Sequence, residues 1–368
     1  MQTTAAIATG PGRPFEITEV DVDDPRPGEV QVRMVACGVC HTDAIVRDQW
    51  YPTPLPAVLG HEGAGVVEAV GPGVDDVAVG DHVLLSFASC GSCRNCQAGR
   101  PAYCLDFFAR NFGGRRADGS TAFTRGAEPI SSHFFGQSSF AAVTNVARRS
   151  VVVVPPEAPL ELLAPLGCGL QTGAGAVLNR LQVREGSSFV VFGAGAVGMA
   201  ALLAAVVANA GTIVAVDLVA DRLTRATELG ATHTVDGSAL GAPGVVAAVR
   251  EATGGGADYA LDTTGSTAAF RQMTDCLGSL GHGALVGASA IGTEASIDIG
   301  TIMLSGATIS MCIEGDSVPS LFIPRLIDLH ARGLFPIEKL VRTYPFGQLD
   351  QAFEDSHTGA TLKPVVVF

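Results

Sequence analysis

Residues 188–198 read Ser-Phe-Val-Val-Phe-Gly-Ala-Gly-Ala-Val-Gly, and this stretch decides the fold. The apolar run Ser188–Phe192 predicts a buried strand, and the Ala-rich run Val197–Asn209 predicts a helix. The three glycines between them form a GxGxxG turn. Such a turn lets a pyrophosphate approach backbone amides near the N-terminus of a helix. We therefore expect a strand, turn and helix that bind a dinucleotide.

The same rhythm continues from this stretch toward the C-terminus. Further strands are predicted at Thr212–Val216, Tyr259–Asp262 and Ala284–Gly287, and a second helix at Asp221–Leu229. Alternation of strands and helices is typical of a parallel, doubly wound α/β sheet.

The part of the chain before about residue 170 has a different pattern of apolar and polar residues. Short alternating runs such as Val30–Val35 and Val66–Val70, interrupted by Gly and Pro, predict a β-rich region. Residues Asn111–Phe140 form a long segment without clear periodicity, which is typical of a functional or docking segment. The chain ends in the apolar run Pro364–Phe368.

Composition excludes several classes of partner. The chain has 368 residues, which favours two domains, and a formal net charge of −13, which argues against nucleic acid and anionic membranes as partners. Met1–Thr9 lacks the pattern of a signal peptide, so a cytoplasmic protein is expected. The apolar stretch Phe189–Ala208 is as long as a membrane span, but its glycines favour a strand, a turn and a helix.

Four of the nine cysteines are closely spaced. Cys90, Cys93, Cys96 and Cys104 form the pattern C-x2-C-x2-C-x7-C. Four thiolates at this spacing can enclose a structural zinc ion and leave no position open. An iron–sulfur cluster is the alternative, because it also uses four cysteines.

A second set of ligands is dispersed along the chain. Cys40, His61 and Cys168 would each be a weak signal alone, because single buried cysteines and histidines usually belong to the core. Together they offer two thiolates and one imidazole. Three ligands with a fourth position free are what a catalytic zinc ion requires.

These motifs carry a family resemblance. The cysteine quartet, Gly-Val-Cys-His-Thr-Asp at 38–43, Gly-His-Glu-Gly-Ala-Gly at 60–65 and Gly-Cys-Gly-Leu-Gln-Thr-Gly at 167–173 resemble the zinc-dependent medium-chain alcohol dehydrogenases. Phe-Phe-Gly-Gln-Ser-Ser-Phe at 134–140 and Thr-Leu-Lys-Pro at 361–364 resemble the aryl-alcohol branch of that family. The resemblance implies a GroES-like catalytic domain at 1–169 and 314–368, with a Rossmann NAD-binding domain at 170–313 inserted in it.

The resemblance also implies roles for single residues. The catalytic zinc would be held by Cys40, His61 and Cys168, and the structural zinc by the quartet, which gives two zinc ions per chain. Asp43 would orient His61, Glu62 would lie behind the metal, and the Thr42 hydroxyl would relay a proton. Zinc in such a site lowers the pKa of an alcohol hydroxyl.

The dinucleotide is expected to be NAD. Asp217 ends the strand after the glycine turn, where a carboxylate accepts hydrogen bonds from ribose hydroxyls and repels the 2′-phosphate of NADP. Arg222 could flank the adenosine ribose, although a solvated helix residue is nearly as good an interpretation. The full cofactor set, by motif or by resemblance, is His41, Thr172, Gly193, Gly195, Val197, Gly198, Asp217, Arg222 and Lys363.

The expected substrate is a primary aromatic or allylic alcohol, or the corresponding aldehyde. By resemblance, the residues of its pocket would be Tyr51, Phe87, Phe134, Phe135, Ala288 and Ile313. The best-known members have a histidine at the position of Ile45, which relays the proton to solvent. Ile45 cannot do this.

Two other functions remain open. The chain could be a thiol-adduct formaldehyde dehydrogenase, which the family also contains, or a redox-silent protein that binds zinc and NAD. Resemblance to dimeric members in the segment Asn111–Phe140 implies a homodimer, although tetramers occur in the family.

Overall fold

Eighteen strands and twelve α-helices make up the regular structure of the 368 residues, all of which the computed structural model describes. The strands are β1 Gln2–Ala8, β2 Glu16–Val22, β3 Glu29–Gly38, β4 Ala57–Val58, β5 Gly63–Val70, β6 His82–Leu85, β7 Phe123–Arg125, β8 Glu128–Ile130, β9 Val143–Ala147, β10 Val151–Val154, β11 Ser188–Phe192, β12 Thr212–Asp217, β13 His233–Asp236, β14 Ala257–Asp262, β15 Leu277–Leu285, β16 Thr308–Met311, β17 Val341–Pro345 and β18 Lys363–Val367. The helices are α1 His41–Arg47, α2 Arg94–Gln97, α3 Phe107–Phe112, α4 Leu160–Leu163, α5 Gly169–Gly175, α6 Ala196–Val207, α7 Ala220–Glu228, α8 Gly237–Ala252, α9 Thr267–Asp275, α10 Ile299–Ser305, α11 Pro319–Ala331 and α12 Leu349–Thr358.

The chain divides into two compact units. Unit 1 comprises Met1–Cys168, Val318–Asp328 and Ile337–Phe368. Unit 2 comprises Gly169–Ser317 and the short stretch Leu329–Pro336.

Unit 2 contains the predicted parallel sheet. Its strands lie in the order β13-β12-β11-β14-β15-β16, and every neighbouring pair is parallel. All five residues of β11 are buried, as expected for a strand in the middle of a sheet that is covered on both faces. The order reverses between β11 and β14, which is where doubly wound sheets bind their ligands. The predicted α/β fold is confirmed.

Unit 1 is β-rich, as the sequence predicted. Strands β4-β1-β2-β7-β8 form one antiparallel sheet, and β10-β6-β5-β3-β18-β17 form a second, in which β9 also pairs with β3. The C-terminal strand β18 lies antiparallel to β3 and parallel to β17. The end of the chain is thereby brought beside the strand that leads into α1.

Several boundaries differ from the predicted ones. Strand β3 continues to Gly38, and β15 begins at Leu277 instead of Ala284. Leu277 is paired with Ala257 of β14, and the pairing then shifts register and resumes at His282, opposite Tyr259. The glycines in the first half of β15 carry no apolar pattern from which a strand could be predicted.

The apolar stretch that imitated a membrane span is β11, the glycine turn and α6. None of the helices combines the length and the apolar character that crossing a bilayer demands.

The unpatterned segment is anchored by buried charges. Arg116 donates to both oxygens of Glu29, at 2.6 and 3.0 Å, and to both oxygens of Asp23, at 2.9 and 2.8 Å. The Nε2 atom of His133 lies 2.8 Å from Glu29 Oε1. Burial opposes ionisation of Glu29, but hydrogen bonds from His133 and Arg116 outweigh it and lower the pKa to about 2. Ion pairs to Glu29 of β3 and to Asp23, which follows β2, therefore hold this segment together with its buried apolar side chains, which show no regular period.

We predict that Glu29→Gln lowers the free energy of unfolding at pH 7 by about 3 kcal/mol, at about 1.4 kcal/mol per pKa unit. Because the folded-state pKa of about 2 lies below the ordinary value of 4.5, this stability is present above pH 4.5 and is lost as the pH falls toward 2. Urea unfolding of the wild type and of Glu29→Gln, from pH 7 to pH 3, measures the difference between their free energies of unfolding. This difference should become smaller as the pH falls.

Glu68→Gln is the matched control, because Glu68 forms an ion pair of 2.9 Å with Arg33 and is about one third exposed. An exposed pair contributes about 0 to 1 kcal/mol. An equal loss of stability in Glu29→Gln and Glu68→Gln would contradict the role given to Glu29. So would a difference between wild type and Glu29→Gln that stays constant down to pH 3.

Candidate functional site

Both predicted sets of metal ligands come together in unit 1. The ligand atoms of Cys40, His61, Glu62 and Cys168 all lie within 4.8 Å of one another. The same is true of the four thiols of the cysteine quartet. Residues far apart in sequence thus form the first cluster, and one short segment forms the second.

The Asp43 carboxylate organises the first cluster. Cys40 precedes α1, and its backbone N–H donates to Asp43 Oδ2 at 3.2 Å. Asp43 Oδ1 accepts from Gly60 N at 3.0 Å and from His61 Nδ1 at 2.9 Å. A carboxylate can only accept, so Nδ1 of His61 carries a proton, and in the neutral ring Nε2 keeps the lone pair that a metal would bind.

The free nitrogen fits a metal ion. His61 Nε2 is buried and has no hydrogen-bond partner, which is costly for a polar atom unless a ligand is bound there. A hydrogen bond with the Cys168 thiol, aided by His61, holds the pKa of Cys40 well below its ordinary value. Two thiols and an imidazole in this arrangement suit zinc with one position left open.

Cys168 reaches the cluster through close backbone packing. Ser86 Oγ donates to the carbonyl of Gly167 at 2.6 Å. A Cβ at Gly167 would lie only 2.1 Å from the Leu85 carbonyl oxygen, so only glycine fits there. The loop that carries Cys168 is therefore fixed against the end of β6.

Glu62 is paired with a lysine. Lys363 Nζ lies 2.7 and 2.6 Å from the two Glu62 oxygens and donates to the Val39 carbonyl at 2.9 Å. Both side chains are buried. Burial raises the pKa of Glu62 to about 6, although Lys363 opposes this. We expected Lys363 at a cofactor phosphate, whereas its ammonium here contacts the carboxylate of Glu62, next to His61.

Thr42, His41 and Ile45 lie on α1. The Thr42 hydroxyl is 3.7 Å from Cys40 Sγ, beside the metal cluster. His41 is exposed, whereas Ile45 is only 2% exposed. The position of Ile45 is therefore both apolar and closed to water.

The predicted pocket residues divide between the two units. Phe135 stacks on the His61 ring at 4.4 Å, and Phe134 meets it edge-on at 5.4 Å. Phe87 is buried in the same core, and Tyr51, which is half-buried, meets Phe112 edge-on at 5.4 Å. The other two predicted residues, Ala288 and Ile313, belong to unit 2.

Sequence reasoning missed one residue beside the cluster. Gln137 is fully buried, and its side chain binds the backbone on both sides of Glu62, at the His61 carbonyl and at Gly63 N. The motif at 134–140 contained it, but no local pattern distinguishes a buried glutamine from a surface one.

Backbone amides point at the sulfurs of the quartet. Ser92 N and Cys93 N donate to Cys90 Sγ at 3.4 and 3.2 Å, and Cys90 N donates to Cys104 Sγ at 3.3 Å. The backbone amide of Ser92, followed by that of Cys93, lowers the pKa of Cys90 to about 5. Thiolates stabilised by amides are the form that binds a metal.

The glycine turn in unit 2 is shaped for a ligand. Gly193 has φ of +89°, and a Cβ at Gly198 would lie 1.9 Å from the Gly193 carbonyl oxygen, so both positions need glycine. A Cβ at Gly195 would meet nothing within 4 Å. The space beside Gly195, ahead of Val197 in the first turn of α6, is open to a pyrophosphate.

Asp217 is fixed at the end of β12. Its Oδ1 accepts from Leu218 N and Val219 N at 2.8 and 2.9 Å, and its Oδ2 accepts from Ala194 N at 2.6 Å. Arg222 Nη1 lies 3.8 Å from Oδ2. The carboxylate is thus held beside the glycine turn. Thr172, in α5, is buried.

Comparison with known proteins agrees with this geometry. Residues 26–156 match the model of the alcohol dehydrogenase GroES-like domain, and residues 196–331 match that of the zinc-binding dehydrogenases. Geraniol dehydrogenase of Castellaniella defragrans is 42% identical over 99% of this chain and 97% of its own.

Two solved structures are similar over their whole length. An alcohol dehydrogenase zinc-binding domain protein from Burkholderia ambifaria is 55% identical, with a TM-score of 0.97, over 100% of this chain and 99% of its own. Benzyl alcohol dehydrogenase from Acinetobacter calcoaceticus is 48% identical, with a TM-score of 0.96, over the same shares. With both family models and a relative that matches nearly end to end, the chain belongs to the zinc-dependent medium-chain alcohol dehydrogenases.

Proposed function

We propose that the protein transfers hydride between NAD and a primary aromatic or allylic alcohol, with two zinc ions per chain. The observation that carries the proposal is the unpartnered Nε2 of His61 among two thiols, with Phe134 and Phe135 against the same ring. Geraniol is allylic and benzyl alcohol is aromatic, so the names of two relatives support this substrate class.

The residues in and around the first cluster have different roles in this reaction. Zinc held by Cys40, His61 and Cys168 would act as a Lewis acid and lower the pKa of an alcohol hydroxyl. Oxidation releases a proton and a hydride, and the Thr42 hydroxyl, 3.7 Å from Cys40 Sγ, is the group that takes up and passes on the proton. Asp43 keeps the imidazole in the tautomer that binds metal.

NAD, not NADP, suits the nucleotide site. Three backbone amides already occupy three of the four lone pairs of Asp217 and hold its negative charge in place. The remaining lone pair suits a ribose hydroxyl. The 2′-phosphate of NADP would be repelled by this fixed negative charge. The neighbouring cation, Arg222, lies 3.8 Å from the Asp217 carboxylate and is already paired with it.

A homodimer suits the surface of unit 2. Strand β16 lies at the edge of the parallel sheet, with β15 as its only neighbour there. Nearby apolar side chains are largely exposed, among them Leu280, Met303 and Leu304 at 81, 75 and 86%. An apolar surface at an open sheet edge favours pairing with a second copy of the chain.

A substrate panel tests the proposed function. We expect benzyl alcohol and geraniol to be oxidised with NAD at a higher kcat/KM than ethanol, and NADP to be much poorer. Asp217→Ser should narrow the preference for NAD. Activity on formaldehyde only with a low-molecular-weight thiol present would support the formaldehyde dehydrogenase alternative. Bound zinc without turnover of any substrate would support a redox-silent protein.

We predict two zinc ions per chain by elemental analysis, and a mass of two chains by light scattering. Cys104→Ser should lose one zinc and much of the protein's thermal stability, because a structural metal contributes directly to folding. Cys276→Ser is the control, since Cys276 is buried in the core of unit 2 away from both clusters. A single zinc, iron in the quartet, or two zinc ions retained by Cys104→Ser would contradict the assignment.

Ile45→His tests the proton path. With a buried Ile45, no imidazole at this position accepts the proton from Thr42, so the relay must end elsewhere. A histidine there should raise the rate of alcohol oxidation below about pH 8 and flatten its pH dependence, provided that hydride or proton transfer limits turnover. The measurement is the pH profile of kcat with normal and deuterated alcohol.

Ile45→Asn controls for the added polarity, because asparagine does not titrate in this range. The relay argument is wrong if hydride transfer limits turnover and the profiles of wild type and Ile45→His superimpose.

A further inference from the structure

The loop that carries Gln137 has an unusual backbone. Within residues 133–138, four have positive φ: His133 at 59°, Phe135 at 52°, Gly136 at 70° and Ser138 at 58°. Non-glycine residues adopt this conformation only where the surroundings impose it. The loop is held against β4 by Ser138 Oγ, which donates to the Val58 carbonyl at 2.6 Å.

The Gln137 carboxamide lies inside this loop, and all four of its hydrogen-bonding positions are filled. Its Nε2 donates to the His61 carbonyl at 2.9 Å and to the Ser86 carbonyl at 3.1 Å. Its Oε1 accepts from Gly63 N at 3.1 Å and from Ser139 Oγ at 2.6 Å. Two donors and two acceptor lone pairs are all that an amide offers.

These bonds join the segments that carry different ligands. The bonds to His61 and Gly63 bracket Glu62 and fix the backbone of the first segment. Ser86, the third partner, holds the Gly167 carbonyl through its hydroxyl at 2.6 Å, immediately before Cys168. One side chain therefore sets the spacing between the His61 segment and the Cys168 segment.

The same loop also contacts the His61 ring. Phe135 stacks on its face at 4.4 Å, and Asp43 binds its Nδ1 at 2.9 Å. The ring is thus constrained on its face and at one edge, while Gln137 constrains the backbone from which it projects. Removing the amide would break four hydrogen bonds of buried groups, among them those of the His61 carbonyl and of Gly63 N–H, so those segments would have to shift.

We infer that Gln137 is a positioning residue of the metal centre, which sets how tightly Cys40, His61 and Cys168 hold zinc. This inference rests on the proposed zinc site. Loss of residues that support metal ligands weakens metal binding by about 10- to 100-fold. The cysteine quartet makes no hydrogen bond with Gln137 and should be unaffected.

The test is the zinc affinity of Gln137→Met, which keeps the length of the side chain without its hydrogen bonds. In competition with a chelator, we expect one zinc per chain to be released at about 10- to 100-fold lower chelator concentration than in wild type, and the other at the same concentration. Cobalt that replaces zinc at Cys40, His61 and Cys168 should show a visible spectrum different from that of the cobalt-substituted wild type. Gln137→Asn, which keeps an amide but is one methylene shorter, should show an intermediate loss.

Gln31→Met is the matched control. Gln31 is also a buried glutamine of unit 1, and its Nε2 donates to Asn145 Oδ1 at 3.1 Å and to the Asp23 carbonyl at 3.3 Å, away from the ligands. It should lower thermal stability without changing zinc release or the cobalt spectrum.

The inference is overturned if the Gln137 variants release zinc as Gln31→Met does. It is also overturned if neither Gln137 variant folds while Gln31→Met does, because the residue then serves the fold in general. A wild-type protein without zinc at Cys40, His61 and Cys168 would instead overturn the proposed function. If the wild-type protein binds two zinc ions and turns over alcohol, but the Gln137 variants release zinc as the wild type does, only the positioning role is overturned.

Discussion

The buried Asp43 carboxylate is the contact on which the candidate site depends. A fully buried negative charge is costly unless several donors surround it. Asp43 has Cys40 N, Gly60 N and His61 Nδ1 within 3.2 Å. These donors come from the start of α1 and from the turn before β5, so one carboxylate fixes both a thiol and an imidazole. The same bond decides which imidazole nitrogen is left for a metal.

Buried polar contacts of this kind recur through unit 1. Glu29 anchors Arg116 and His133, and His133 begins the loop whose aromatic residues contact His61. Gln137 then ties that loop to the backbone around His61. The unpatterned segment thus combines buried apolar side chains with a chain of polar contacts that ends at the backbone beside His61. Such networks fix geometry more strictly than apolar packing does, because every unmade bond is costly.

The sequence predicted the parts that follow a local rule. The parallel sheet was predictable because buried strands and Ala-rich helices alternate around residues 188–198, and the quartet because its four ligands lie close together in the chain. The first half of β15 was not predictable, since its glycines show no period. The roles of Gln137 and the pairing of Lys363 with Glu62 depend on contacts across hundreds of residues or between loops, and no local pattern records them.

The lysine pairing has a consequence for the charge of the buried site. Two thiolates, of Cys40 and Cys168, would balance the charge of one bound zinc ion. Asp43 and Glu62 are two further buried carboxylates here: three N–H donors surround Asp43, whereas Glu62 needs a cation besides the zinc ion. Lys363, 2.6 Å away and itself buried, supplies the missing positive charge. Because Lys363 is the first residue of β18, which pairs with β3 beside Cys37 and Gly38, the C-terminal strand is part of the electrostatics of the metal centre. The lysine that the resemblance assigns to a cofactor phosphate is therefore, in this structure, the cation that keeps the buried Glu62 carboxylate ionised.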